Sequence, residues 1–214
     1  MSENALSVGS TTPGRYGAGP AQVVLAEATI ATAWNVQGDA TQPLFVAEVQ
    51  RLFDVALPTT PNTTSKGSGV TVFWIGPRSW LLVTGEPPSA SGPFSNLAAN
   101  RDALNALGGA LFDLSAGRIA FTITGEHAVE VLASGCPLDL HPRVFSAGAC
   151  AQSIFGHVNA LVYKPDETTS FTLLVARSFA RDAWQALCLS AAQYGYDVTS
   201  RTPFRLGLTV VRQE

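Results

Sequence analysis

Charge is what this chain has least of. Only 14% of its 214 residues are Asp, Glu, Lys or Arg, against about 25% in an average soluble domain. Lysine nearly vanishes: Lys66 and Lys164 stand alone beside eleven arginines. Net charge is −3 and the pI about 5.6, so there is no basic footprint for a nucleic acid. A surface so poor in charge, with Arg favoured over Lys, reads as one partly covered by a partner. GC-rich coding DNA is the bland source of the same Arg bias.

Other absences narrow the class further. Cysteine occurs three times, as Cys136, Cys150 and Cys188, with no C-x-x-C pair. That excludes a disulfide framework and a spaced zinc site, and it suits a reducing cytoplasm. Cys188 falls on an apolar helical stripe and reads as a buried, inert thiol. The longest uncharged stretch, Val144–Tyr163, is interrupted by Gly148, Gln152, Gly156, His157 and Asn159, so it reads as two strands and not as a membrane span. Met1–Gly19 has neither a basic nor an apolar block, so no secretory signal is expected. There is no G-x-S-x-G and no G-x-x-x-x-G-K-[ST]. Gly17-Ala-Gly19 follows no strand and has Gln22 where a third glycine belongs, so no nucleotide fingerprint is present.

What is present is a mixed α+β pattern. Residues 1–22, rich in Gly, Ser, Thr and Ala, read as a loose arm. Val23–Trp34 reads as a strand. Pro43 suits the first position of a helix over 43–56, with Phe45, Val49, Leu52 and Phe53 on one face. Residues 58–69 read as a loop. Val70–Ile75 and Trp80–Val83 form a hairpin whose Phe73, Trp74 and Trp80 are core aromatics. A helix over 97–107 ends at Gly108-Gly109, and Leu111–Leu114 is a short strand.

The pattern then restarts. A strand at 119–124 and a short helix at 126–134 come first, then strands at 150–155, 158–163 and 171–175. A last helix capped by Ser178 runs along Ala180, Ala183, Trp184, Leu187, Cys188 and Ala191. Val198–Val211 has room for one more strand. Residues 23–115 and 116–214 thus read as two pseudo-repeated split β-α-β lobes of ferredoxin-like type, either separable or fused into one domain.

Polar chemistry is densest in Gly135-Cys-Pro-Leu-Asp-Leu-His-Pro-Arg143. His141 beside Asp139 could serve as an acid or base. With no second acid, base or nucleophile placed nearby, the loop reads better as a rigid two-proline turn. In that turn Asp139 accepts backbone N–H bonds and Arg143 meets a carboxylate, on this chain or another. One His, one Cys and one carboxylate make a weak metal set. His127 reads as a surface residue and His157 as a hairpin residue. The residues by themselves nominate no catalytic, cofactor-binding or metal-binding set.

A resemblance covers residues 70–195. Phe112-Asp-Leu-Ser115, Arg118, Thr124-Gly125, Val131-Leu132, the Gly135–Arg143 loop, Phe145, Gly148 and Ala151-Gln152 resemble the gamma-subunit family of heterotetrameric sarcosine oxidases. Trp74-Ile-Gly-Pro-Arg-Ser-Trp-Leu-Leu-Val83 and Val175-Ala-Arg-Ser-Phe179 support it. The resemblance implies a fold related to the folate-binding domain of aminomethyltransferase, the glycine-cleavage T-protein. It also implies a non-catalytic subunit, packed against alpha, beta and delta subunits and chiefly against alpha, with no nucleic-acid or membrane partner. The whole complex would demethylate sarcosine to glycine, reducing O2 to H2O2 and passing the one-carbon unit to tetrahydrofolate. FAD, covalent FMN, NAD and zinc would sit on the other subunits. Cys136, Asp139, His141, Arg143 and Gln152, with Arg78 and Arg177, become candidate subunit-contact or structural-loop residues. Two alternatives stay open: a related N-methyl amino acid dehydrogenase complex, and an autonomous folate-binding or one-carbon-transfer protein with Asp113 or Asp139 in its pocket.

Overall fold

Most long strands of this chain bury both of their faces, and that fact organises the molecule. A computed structural model describes residues 12–87, 89 and 92–204. Its first elements are β1 (Gly14–Tyr16), β2 (Val23–Thr29), β3 (Thr32–Gln37), α1 (Pro43–Phe53), β4 (Thr64–Gly67), β5 (Val70–Gly76), β6 (Ser79–Thr84), α2 (Leu97–Asn105) and β7 (Ala110–Asp113). The rest are β8 (Arg118–Thr124), α3 (Ala128–Ala133), β9 (Cys150–Phe155), β10 (Val158–Tyr163), β11 (Ser170–Ala176), α4 (Ala180–Ala191), β12 (Tyr196–Val198) and β13 (Thr202–Pro203).

Two sheets result. One runs β4-β5-β6-β3-β7. The other runs β1-β12-β2-β8-β11-β10-β9, with β13 also pairing β2. The expected pseudo-repeat is visible in this order. β4-β5-β6-β3 in one sheet corresponds to β9-β10-β11-β8 in the other, each with two helices in matching places. Sheet membership crosses the 115/116 boundary, because β2 is inserted between β8 and β12.

Side chains alternate along each strand between two environments. On β8, Ile119, Phe121 and Ile123 face a cluster shared with Ala183, Trp184 and Leu187 of α4. On β6, Trp80 and Leu82 face a second cluster with Phe45, Val49 and Phe53 of α1. The opposite faces, through Ala33, Phe73, Leu81, Ala120, Tyr163 and Leu174, meet in a third cluster between the sheets. The layer order is therefore helices, sheet, sheet, helices. Burying Phe121 or Trp184 in such a layer stabilises by roughly 2–3 kcal/mol each.

Several boundaries differ from the sequence reading. Val23–Trp34 is not one strand. It breaks at Ile30-Ala31, and its halves enter different sheets. The first helix stops at Phe53 because Asp54 turns left-handed (φ 50°), its N–H donating to the Gln50 carbonyl. Part of the expected 58–69 loop is β4, an edge strand recruited by pairing with β5. Ser178 does not cap the last helix. Residues 177–179 form a one-turn 3-10 helix, and the α-helix begins at Ala180 after Phe179. Arg177 holds that turn by donating to the Ala116 and Arg118 carbonyls at 2.7 and 3.0 Å. The N-terminal arm is ordered in part, since β1 pairs β12 and Arg15 bridges Asp197 at 3.0 Å. Residues 1–11 of that arm, and 205–211 of the expected terminal strand, lie outside the described residues.

All three cysteines are free. Cys150 lies fully buried between the sheets, and burial pushes its thiol pKa up to about 12. Cys188 is only half-buried, and burial raises its pKa as well. Near neutral pH the Cys150 thiol should therefore stay protonated. In the folded chain it should not react with a disulfide reagent, whereas in concentrated guanidinium all three thiols should. Labelling followed by peptide mass spectrometry checks this.

Candidate functional site

The Gly135–Arg143 loop is built on buried apolar anchors. Cys136 and Leu140 are buried, as is Phe145 just beyond it, and all three join the cluster behind the larger sheet. Leu138 packs partly against the same cluster. Between the anchors, local hydrogen bonds replace secondary structure. The Asp139 carboxylate accepts the His141 N–H at 2.9 Å. His141 Nδ1 accepts the Arg143 N–H at 3.2 Å. The His141 carbonyl accepts from Val144 and Phe145 at 2.8 and 2.9 Å. This is the two-proline turn expected from the sequence, with Asp139 in the expected accepting role.

Gly135 seats the loop against the β9–β10 turn. Its carbonyl accepts the Gly156 N–H at 2.8 Å. A Cβ placed there would come within 2.9 Å of the Phe155 ring and 3.1 Å of the Gly156 nitrogen. Outward from this base, Asp139, His141 and Arg143 are all exposed. Among the described residues His141 and Arg143 form no ion pair.

The remaining candidates are not gathered around that loop. Gln152 ties one sheet to the other. Its Nε2 donates at 2.7 Å to the carbonyl of Ile75, the residue at which β5 bulges and leaves its register with β6. The sheets are joined again where Cys150 N–H donates to Asn62 O at 2.9 Å and Thr64 N–H to Gly148 O at 3.1 Å. Arg177 is spent on two carbonyls, as described. Arg78 is exposed at the β5–β6 turn, where its carbonyl accepts the Gly38 N–H and its charge helps hold the Asp39 carboxylate pKa below its usual value, behind the larger effect of the Thr41 hydrogen bonds. So the seven candidates divide. Cys136, Gln152 and Arg177 serve the fold, Asp139 shapes its own turn, and His141, Arg143 and Arg78 face outward.

The other residues singled out in the sequence fall into place more simply. Phe73 and Trp80 are buried and Trp74 half-buried. His157 is exposed in its hairpin turn. His127 is half-buried, its ring stacked on Tyr194 at 4.4 Å; the sequence alone placed it at the surface because Tyr194 is remote in the chain. Asp113 and Asp139, the acids weighed for a folate pocket, are both exposed and both accept from residues two positions on. Among the described residues no group of three His, Cys, Asp or Glu side chains is arranged to hold a metal ion. No described helix is long and apolar enough to cross a membrane.

With this geometry in hand, the chain can be set beside known proteins. The model of the sarcosine oxidase gamma subunit family matches residues 37–193. The chain belongs to that family. It is 32% identical over 105 residues to the sarcosine oxidase subunit gamma of Arthrobacter sp. and 33% over 112 residues to that of Corynebacterium sp. strain U-96. These alignments cover 49% and 52% of this chain, and the chain spans about half the length of the curated relatives it matches. Among solved structures, one chain of the heterotetrameric sarcosine oxidase from Corynebacterium sp. U-96 superposes with a TM-score of 0.73 at 27% identity, covering 84% of this chain and 88% of that one. Aminomethyltransferase T of the glycine cleavage system from Bartonella henselae shares the fold: TM-score 0.50, 13% identity, 80% of this chain and 49% of that one. The family match takes in the whole Gly135–Arg143 loop, and the folate-binding-like α+β architecture is the one the family's residues implied.

If Gly135 is the seat of the loop, Gly135→Ala should cost roughly 1–3 kcal/mol, because Phe155 and the Gly156 backbone must give way together. A urea titration followed by fluorescence measures it. An unchanged midpoint would show that the loop is not held from this side.

Proposed function

We propose that this chain is a non-catalytic structural subunit of a heterotetrameric sarcosine oxidase. Its place is beside alpha, beta and delta subunits, with alpha the chief contact. The single observation that carries the proposal is the family match over 37–193, which the fold-wide likeness to a chain of a heterotetrameric sarcosine oxidase supports. In this reading the complex oxidatively demethylates sarcosine to glycine with O2 going to H2O2, and tetrahydrofolate carries away the one-carbon unit as 5,10-methylenetetrahydrofolate. FAD, covalent FMN, NAD and zinc belong to the other subunits, and the complex works in the cytoplasm.

Physical features of this chain support such a role. Its candidate residues are committed to backbone carbonyls and local turns rather than converging on a common point. Large apolar side chains remain at the surface, with Leu189 80%, Leu44 73% and Val144 64% exposed. Contact with another subunit is the ordinary fate of such groups.

Expression of the chain alone and together with the large flavin-bearing subunit tests the proposal. Alone, the chain should be colourless and prone to aggregate on size exclusion with light scattering. Co-expression should move it into a soluble, flavin-coloured complex. A stable monodisperse monomer that binds tetrahydrofolate in titration calorimetry would overturn this reading in favour of an autonomous folate-binding protein.

A further inference from the structure

The two sheets do not stay in contact along their whole length. Near the β9 edge they part, leaving an open cleft of about 720 Å³ between them. Its roof is Ile75 and Leu81 of the smaller sheet, and its deep wall is Leu161 and Leu174 of the larger one. β5 loses its register with β6 between Trp74 and Gly76, and Gln152, which also lines the cleft, spans it by donating to the Ile75 carbonyl.

The floor at the mouth follows from strand register. Arg118 stands opposite Ala176, and Ile154 stands opposite Asn159. Ala120 and Leu161 face the inter-sheet layer, so Arg118 and Asn159, two positions away on the same strands, lie on that same face. All four residues line the cleft. Arg118 is half-buried, and among the described residues no carboxylate pairs with it. A guanidinium held against apolar walls without a counter-charge is a site for an anion. Ile154 and Phe179 form an apolar rim, 42% and 46% exposed. Sites for small ligands enclose most of their guest. Here a small guest would leave the rim wet, whereas a polypeptide lying across the mouth would cover it.

We propose that this cleft seats an acidic, apolar segment of a partner chain, its aliphatic or aromatic side chains against Ile75, Ile154 and Phe179 and one carboxylate on the Arg118 guanidinium. The proposal rests on the subunit reading given above and adds the surface through which it operates. Arg118 is the charged anchor, Asn159 a neighbouring hydrogen-bonding group, and the rest of the contact is apolar.

The test uses the wild-type full chain, free and co-expressed with the other three subunits. Both forms are treated with phenylglyoxal, and arginine modification is read by peptide mass spectrometry. Arg118 should be labelled in the free chain and protected about tenfold or more in the complex. Arg118→Gln and Ile154→Asp, each checked for unchanged circular dichroism, should weaken assembly by about tenfold or more. Glu167→Gln, in the exposed turn before β11 and at the end of that strand away from the cleft, should leave assembly and the protection of Arg118 unchanged. Equal labelling of Arg118 in free chain and complex overturns the proposal while leaving the subunit reading intact. Protection of Arg118 in the free chain by millimolar benzoate would assign the cleft to a free carboxylate and overturn it too. A wild-type chain that joins no complex removes the subunit reading and this proposal together.

Discussion

Everything in this fold depends on the layer where the two sheets meet. Small residues, Ala28, Ala33 and Ala120, share it with large ones, and aromatic contacts lock it, with Phe73 against Tyr163 at 4.9 Å and against Phe204 at 6.3 Å. Because helices cover the outer faces, the interior positions of β8 and β11 have no solvent side, and β11 is apolar at five of its seven positions. Polar groups that enter the layer do so at a cost. The Thr172 hydroxyl oxygen is buried there without a hydrogen-bond partner among the described residues, and burial raises the Tyr163 pKa above its usual value against the opposing effect of the Thr71 and Thr64 hydroxyls.

This architecture also accounts for part of the low charge count. Strands buried on both faces have nowhere to put Lys or Glu, so the charges are displaced to helices, turns and edges. Lys164 illustrates the exception: it is 4% exposed, donates to the Thr168 carbonyl at 2.8 Å and lies 4.8 Å over the Phe171 ring. The case for a partner therefore rests less on the composition than on the apolar side chains left outside, and on Arg118 at the mouth of the cleft.

Much of this was legible in the sequence where it was written locally. The β5–β6 hairpin, the strands β9 to β11 and the stripe of α4 follow from alternation, from Gly-containing turns and from 3.6-residue spacing. The turn formed by Asp139 and His141 was legible too, because Asx hydrogen bonds span two residues. What escaped is non-local. Nothing in Val23–Trp34 announces that its halves serve different sheets, since both halves are apolar and the break falls at Ile30-Ala31 without Gly or Pro. β4, with the sequence Thr-Ser-Lys-Gly, becomes a strand only because β5 pairs with it. The roles of Gln152 and Arg177 depend on carbonyls 77 and 61 residues away. The cleft depends on how two sheets diverge, which no residue spacing records.

The function proposed for this chain is that of a member of an assembly, not of a protein acting by itself. Native mass spectrometry of the tagged chain, captured gently from cells that also express the other three subunits, tests that claim most directly. One dominant species of four different polypeptides containing this 22.5 kDa chain is expected. A spectrum in which the chain stays at 22.5 kDa, while the other three assemble without it, would contradict it.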